Sequence, residues 1–337
     1  MNDRPQRDRS SLLSPGTLHP FASSTRLSFV MPKAPARKDA PAATMVPELG
    51  LVCVTVGPEV RYKTLTRTRF LAMSPEARKV KLRPLYHSNL MTLYGALAFC
   101  RSRGIRLYRV TSDLFPHGED DEGRAVLEEL RPQMNGFGQL AEKMGIRIVL
   151  HPDQFVVLNS ESEAVVEQSV SVLAHHARVF DALELPRTSW CAFNVHGGKA
   201  GRPGELIDRI QKLPEEIRNR LTLENDEYSY GAREILDICR RAKVPMLFDA
   251  HHHIVNQKLE DYEDASIARF VREARDTWPR PDWQMVHISN GKEKFSDPCH
   301  HDLVKVLPSA FRDVPWIEVE AKAKEVAIHK LRLRMKR

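Results

Sequence analysis

Hydrophobic residues along this chain come in short, nearly unbroken runs, separated by longer stretches in which apolar positions recur every three or four residues. The short runs are Leu49–Val56, Ile105–Val110, Ile146–Leu150, Trp190–Val195, Leu221–Leu223, Pro245–Phe248, Trp283–Ile288 and Trp316–Val319. Runs of this length, rich in β-branched and aromatic residues, read as buried strands. The longer stretches read as amphipathic helices, most clearly at Ser88–Arg103, Gly123–Met144, Ser162–Leu183, Gly204–Arg218, Gly231–Lys243 and Asp264–Thr277. Gly104 and Gly145 stand where helix C-terminal caps belong. Eight strands alternating with helices predict an α/β chain folded as a (β/α)8 TIM barrel rather than an open sheet.

Residues 1–47 break the pattern. They hold seven of the 22 prolines, many Ser and Arg, and no sustained periodicity. Such a composition cannot bury enough surface to fold alone. It predicts a flexible arm, or an over-long start assignment with Met31 or Met45 as the true start. The barrel is expected over 48–329, followed by a basic tail over 330–337 that forms a solvated helix end.

Charge changes the picture little. The formal net charge is +7. Residues 1–48 hold seven Lys/Arg against four Asp/Glu, and 330–337 hold five basic residues and no acid, which leaves about −1 for the stretch between. Bulk charge therefore argues only weakly for nucleic acid. No apolar run approaches the roughly 20 residues of a membrane span, and no secretory segment is evident, so a cytoplasmic protein is expected. Five scattered cysteines without a CxxC fit a reducing compartment. Neither GxGxxG nor GxxxxGK[ST] occurs, which argues against a nucleotide cofactor.

The chemistry gathers where the strands end. The third strand runs into His151, the fourth into His196, the fifth into Glu224 and the sixth into Asp249, with His251, His252 and His253 behind it. The seventh carries His287 and the eighth ends at Glu320. Taken singly, each is ordinarily a hydrogen-bonded loop residue or a helix cap. Jointly they sit at one level of a barrel whose active site lies at the C-terminal ends of its strands. Imidazoles mixed with carboxylates are what Zn, Mn or Fe sites use. The count exceeds the needs of one catalytic zinc, so two or three ions are expected, with a carboxylate such as Glu224 bridging. Ions ~3.5–4 Å apart can activate water for in-line phosphoryl displacement. Sugar isomerisation on a two-metal barrel stays open on this inventory alone.

The strings YRVTSDLFPH (108–117), HPDQF (151–155), NVHGGK (194–199), LENDE (223–227), VPMLFDAHHH (244–253), the His300–Asp302 pair and VEAKAKE (319–325) resemble the UV damage endonuclease family. The resemblance spans about residues 49–326, and the family is similar in fold to endonuclease IV and xylose isomerase barrels. It implies nicking of duplex DNA immediately 5′ to UV photoproducts, and also at abasic sites, leaving a 3′-hydroxyl and a 5′-phosphate. It implies up to three divalent ions, foremost Mn²⁺, with Zn²⁺ or Co²⁺ as alternatives. One ion would be held by His151, His196 and Glu224, and a second by Glu224, Asp249, His287 and Glu320. A third would be held by His252 and His300, with Asp302 beside them. His251 and His253 would be supporting or surface residues. His117 would reach the scissile phosphate, and Lys199 would serve a phosphate. Gln154 and Phe155 would wedge into the damaged duplex, and Arg61, Lys63, Arg67 and Arg69 would follow the backbone. The expected partner is damaged double-stranded DNA bound by a monomer. Two departures stand out. Gly50–Leu51 lacks an aromatic that the family tends to place there, and Met285 stands where a lysine is common. An apurinic endonuclease like endonuclease IV is the nearest alternative function.

Overall fold

The computed structural model of the protein describes residues 46–152 and 155–336. Eight parallel strands close a barrel in sequence order: β1 (Glu48–Val52), β2 (Leu107–Val110), β3 (Arg147–Leu150), β4 (Phe193–His196), β5 (Leu221–Glu224), β6 (Met246–Asp249), β7 (Met285–Ile288) and β8 (Trp316–Val319). Closure is made by β1 on β8, with Glu48 opposite Trp316 and Gly50 opposite Glu318. All eight expected strands are present, most of them shorter than read. β1 stops at Val52 because Cys53 takes φ 62°. Trp190 and Trp283 fall in short 3-10 turns ahead of their strands rather than in them.

The helices depart from the pattern where the chain carries its own breakers. Gly123–Met144 is two helices, Asp121–Met134 and Phe137–Met144, because Gly136 between them sits at φ 80°, outside the helical region. Gly204–Arg218 is likewise two, Pro203–Lys212 and Glu215–Arg218, interrupted at Leu213–Pro214. Proline offers no N–H to the preceding turn. The helix read from Ser88 begins at Pro75, where the Ser74 hydroxyl accepts from Ala77 N–H, and it carries Pro84 inside it. The last helix, Lys324–Met335, is more than a solvated end: Leu331 is buried and Arg332 donates to the carbonyls of Arg103 and Gly104.

Strand parity sorts the barrel interior into levels. At the N-terminal end the fully buried Arg147 donates to the carbonyls of Trp190, Trp283 and Ser189, with its guanidinium 4.6 Å from the Trp190 ring. Above it Leu107, Val149, Ala192, Leu247 and Met285 form an apolar plug. Gly50 faces this plug, and a Cβ there would meet the Leu107 side chain at 2.6 Å. Its neighbour Leu51 therefore points the other way, into the core between strands and helices. Met285 lies one level below His287 on the same face of β7, inside the plug. Above the plug the lining becomes polar, and the candidate site begins.

Candidate metal centre

Each ligand candidate is fixed by the strand it ends. Glu224 closes β5 and is fully buried. Its Oε1 lies 2.9 Å from His287 Nδ1 and 3.5 Å from His252 Nδ1. Its Oε2 lies 3.4 Å from His151 Nε2 and 4.0 Å from His196 Nε2, and also accepts from Asn194. Glu320, just past β8, faces His287 Nδ1 at 3.2 Å and His300 Nδ1 at 3.8 Å. Three sets of potential ligand atoms lie within 4.8 Å of one another: His151, His196 and Glu224; Glu224, Asp249 and His252; and Asp249, His287 and Glu320. Glu224 and Asp249 each belong to two of them.

The histidine triplet resolves through a short helix that the hydrophobic pattern did not announce. Ala250–Gln257 is helical, and Asp249 is its N-cap: Oδ1 accepts from His252 N–H at 2.7 Å. Successive helical residues are turned by about 100°, so the three imidazoles diverge. His252 turns to the site. His251 is locked between the Tyr262 hydroxyl and the Asp297 carbonyl, at 2.8 Å each. His253 bonds Ser266 and packs on Phe248 and Phe270. Both flanking histidines are buried, so neither is a surface residue.

Burial and charge set the protonation of this cluster. Burial alone would raise the Glu224 carboxyl, but His287, His196 and the His151 bond hold it well below the usual carboxylate range. Burial disfavours charge on His287, yet Glu224, Glu320 and Glu318 push its pKa well above that of a free imidazole. Against the same burial, Asp249, Glu224 and Glu227 lift His252 to about 9. Burial lowers His196. The residues fit divalent ions. Asp249 Oδ2 is buried without a hydrogen-bond partner, and Glu224 directs both carboxylate oxygens at imidazole nitrogens. An uncompensated carboxylate oxygen in such a place is costly, and a cation among these donors removes that cost.

The other candidates fall outside the cluster. His300 reaches Glu320 from the rim and sits 6.4 Å, ring to ring, from both His251 and His252; Asp302 is exposed. His117 accompanies Glu119 and Asp120 in a group of its own. Its Nε2–H donates to the Leu65 carbonyl at 2.7 Å and its ring stacks on Phe70. Lys199 is exposed, its backbone tied to Asn159. Phe155 is 76% exposed, on the loop after β3. Gln154 lies outside the described residues. Arg67 pairs with Asp120, and Arg61 donates to the carbonyls of Gly57 and Val56.

Sequence reasoning passed over Glu318, Arg109, Asn194, Asn225 and Glu227. The signal was parity: Glu318 precedes Glu320 by two on β8, and Asn194 precedes His196 by two on β4, so each pair shares the inward face.

A polar, imidazole- and carboxylate-lined mouth on a closed parallel barrel defines a TIM barrel with candidate metal-ligand groups at the C-terminal ends of its strands. The family model for UV-endonuclease UvdE matches residues 47–336, and the chain belongs to that family. It is 47% identical over 318 residues to a UV DNA damage endonuclease of Nostoc sp., covering 94% of this chain and 97% of that one. It is 51% identical over 295 residues to a UV DNA damage endonuclease of Deinococcus radiodurans, covering 87% and 97%. Among solved structures it is similar to SacUVDE, with a TM-score of 0.72 at 26% identity, covering 86% of this chain and all of the other. Endonuclease IV from Thermus thermophilus shares the fold, with a TM-score of 0.52 at 14% identity.

Proposed function

We propose that this barrel is a metal-dependent endonuclease that nicks double-stranded DNA immediately 5′ to UV photoproducts, and also at abasic sites, leaving a 3′-hydroxyl and a 5′-phosphate. The observation that carries the reading is Glu224, whose two oxygens are shared between imidazoles of two adjoining ligand groups at the barrel mouth. Divalent ions bound there, with Mn²⁺ the first candidate, supply Lewis acidity to the scissile phosphate and lower the pKa of an attacking water.

The chain's own groups do the rest. Glu224 and Asp249, each in two of the ligand groups, would hold the ions together with the histidines around them. His151, His196, His252, His287 and Glu320 complete the donor set, and His300 stands at its edge. The Nε2–H of His117 is engaged with Leu65, so His117 can donate to a phosphate only from Nδ1 of the charged ring. Phe155, exposed on the loop after β3, offers an aromatic face for the gap that extruded bases leave, and Gln154, the residue before it in sequence, an amide for base edges. Lys199 on the loop after β4 adds a positive charge for the backbone. An exposed aromatic at the rim suits a duplex better than an enclosed sugar pocket.

The test is a nicking assay with Mn²⁺ on three duplexes carrying a single thymine dimer, an abasic site or no lesion. A metal-dependent cut 5′ to the dimer is expected. Cutting of the abasic duplex alone would assign the protein to apurinic repair, and no cutting of any would overturn the proposal.

A further inference from the structure

A metal takes the lone pair of one imidazole nitrogen when the proton sits on the other, so the partner of the far nitrogen decides which atom ligates. The site histidines are not alike in this. His151 Nδ1 lies 2.8 Å from the Pro152 carbonyl and His252 Nδ1 3.0 Å from the Asn225 carbonyl. A carbonyl only accepts, so both rings carry a proton on Nδ1, which leaves Nε2 as the nitrogen open to an ion; that of His252 lies 3.4 Å from Glu227 Oε1. His196 also turns Nε2 toward Glu224. His287 is reversed. Its Nε2 bonds the Glu318 carboxylate, and its Nδ1 faces Glu224 and Glu320 at 2.9 and 3.2 Å.

Glu318 is a buried carboxylate on β8, and the ring it holds is fully buried. The Arg109 guanidinium from β2 lies 3.6 Å from Glu318 and pairs with Glu320. The other oxygen, Glu318 Oε1, has no hydrogen-bond partner. A buried acid in an apolar barrel is a poor choice for stability alone. Its geometry suits a different task.

We propose that Glu318 is a positioning residue of the metal centre: it accepts the Nε2 proton of His287 and thereby fixes Nδ1 as the ligand atom, with Arg109 holding Glu318 and Glu320 in a common frame. The inference rests on the metal reading above and goes beyond its ligand set.

Two measurements on the full chain test it. In the first, Zn²⁺ and Mn²⁺ affinities of wild type, Glu318→Gln and Glu318→Ala are read by competition with a chromophoric chelator, alongside the melting temperature of each metal-free protein. The alanine variant should bind about 10- to 100-fold more weakly. Glutamine keeps an acceptor for the Nε2 proton and should recover part of that loss. Wild-type affinity in both variants overturns the proposal, even where metal-free stability has changed. The second needs no variant, so a misfolded Glu318→Ala leaves it intact. In Zn²⁺-loaded protein labelled with ¹⁵N-histidine, His287 should show a protonated Nε2 and a metal-bound Nδ1, the reverse of His151 and His252. The same tautomer in all three overturns it. A wild type that binds no ion overturns the metal reading and this one with it. A wild type that binds normally beside unchanged variants overturns this one alone.

Discussion

Asp249 serves two purposes with one carboxylate. Oδ1 caps the helix that carries the histidines, while Oδ2 is left for the site. Asparagine can keep the cap through its carbonyl oxygen but cannot supply the negative donor. Asp249→Asn should therefore leave the fold intact and abolish nicking, by at least about 10³-fold on the scale of losing a key electrostatic group. Glu224→Gln should do the same. Circular dichroism and a nicking assay check both, and wild-type-like cleavage by either refutes the ligand assignment. On the proposed function, Phe155 serves recognition rather than hydrolysis. Phe155→Ala should weaken discrimination between dimer-containing and intact duplex by roughly tenfold, the scale of one lost base stack. It should spare the abasic substrate, whose flexible backbone needs less help in opening. Binding titrations on the three duplexes decide this, and equal losses would remove Phe155 from lesion reading.

Elements explain why some of this was visible in the sequence and some was not. Strands β3 to β8 each bring a polar residue at or next to their C-terminal end after an apolar run, so His151, His196, Glu224, Asp249, His287 and Glu320 could be aligned at one level without coordinates. The helix at Ala250–Gln257 could not be read that way, because it is one short polar turn after another with three histidines at its start. Its cap makes it a helix and turns toward the site His252, the histidine that the family resemblance also picks. Glu318 was hidden inside WIEV, where an acid between apolar neighbours looks like a solvent-facing strand residue, yet closure of the barrel turns that face inward. The break at Gly136 is likewise a local backbone requirement that periodicity overlooks. Its φ of 80° favours glycine, and nothing lies within 4 Å of where a Cβ would stand. Gly136→Ala should cost about 1–2 kcal/mol from backbone strain alone, measurable by denaturant unfolding without effect on nicking.

The whole molecule balances several buried ionisable groups, and stability should report on them. Without ions, Glu224, Asp249, Glu318 and Glu320 face each other with Arg109 and His287 as nearby positive partners. A ligand present at a hundred times its dissociation constant stabilises by about 2.7 kcal/mol, and with about 2.1 cal/mol/K of unfolding entropy per residue that is roughly 4 °C at this chain length. Chelation should lower the melting temperature by that amount, and restored Mn²⁺ should return it. Away from the site, burial lowers His176 to about 4 from the ordinary 6.5. The folded-state value lies below the unfolded one, so the unfolded chain binds the extra proton. Stability from the neutral ring is complete above about 6.5 and is lost as pH falls toward about 4, by at most about 3 kcal/mol. Unfolding free energies of wild type and His176→Gln across that window should differ in slope by close to one proton.

The order of the ligands along the chain has a consequence for the making of the protein. The donors run from His151 on the third strand to Glu320 beyond the eighth, and the barrel closes only when β8 pairs with β1. A growing polypeptide on the ribosome that stops short of residue 320 lacks both the seam and the last carboxylate. On the proposed ligand set, release of an incomplete product therefore yields no armed nuclease, and a cell's DNA meets this chemistry only after translation is all but finished.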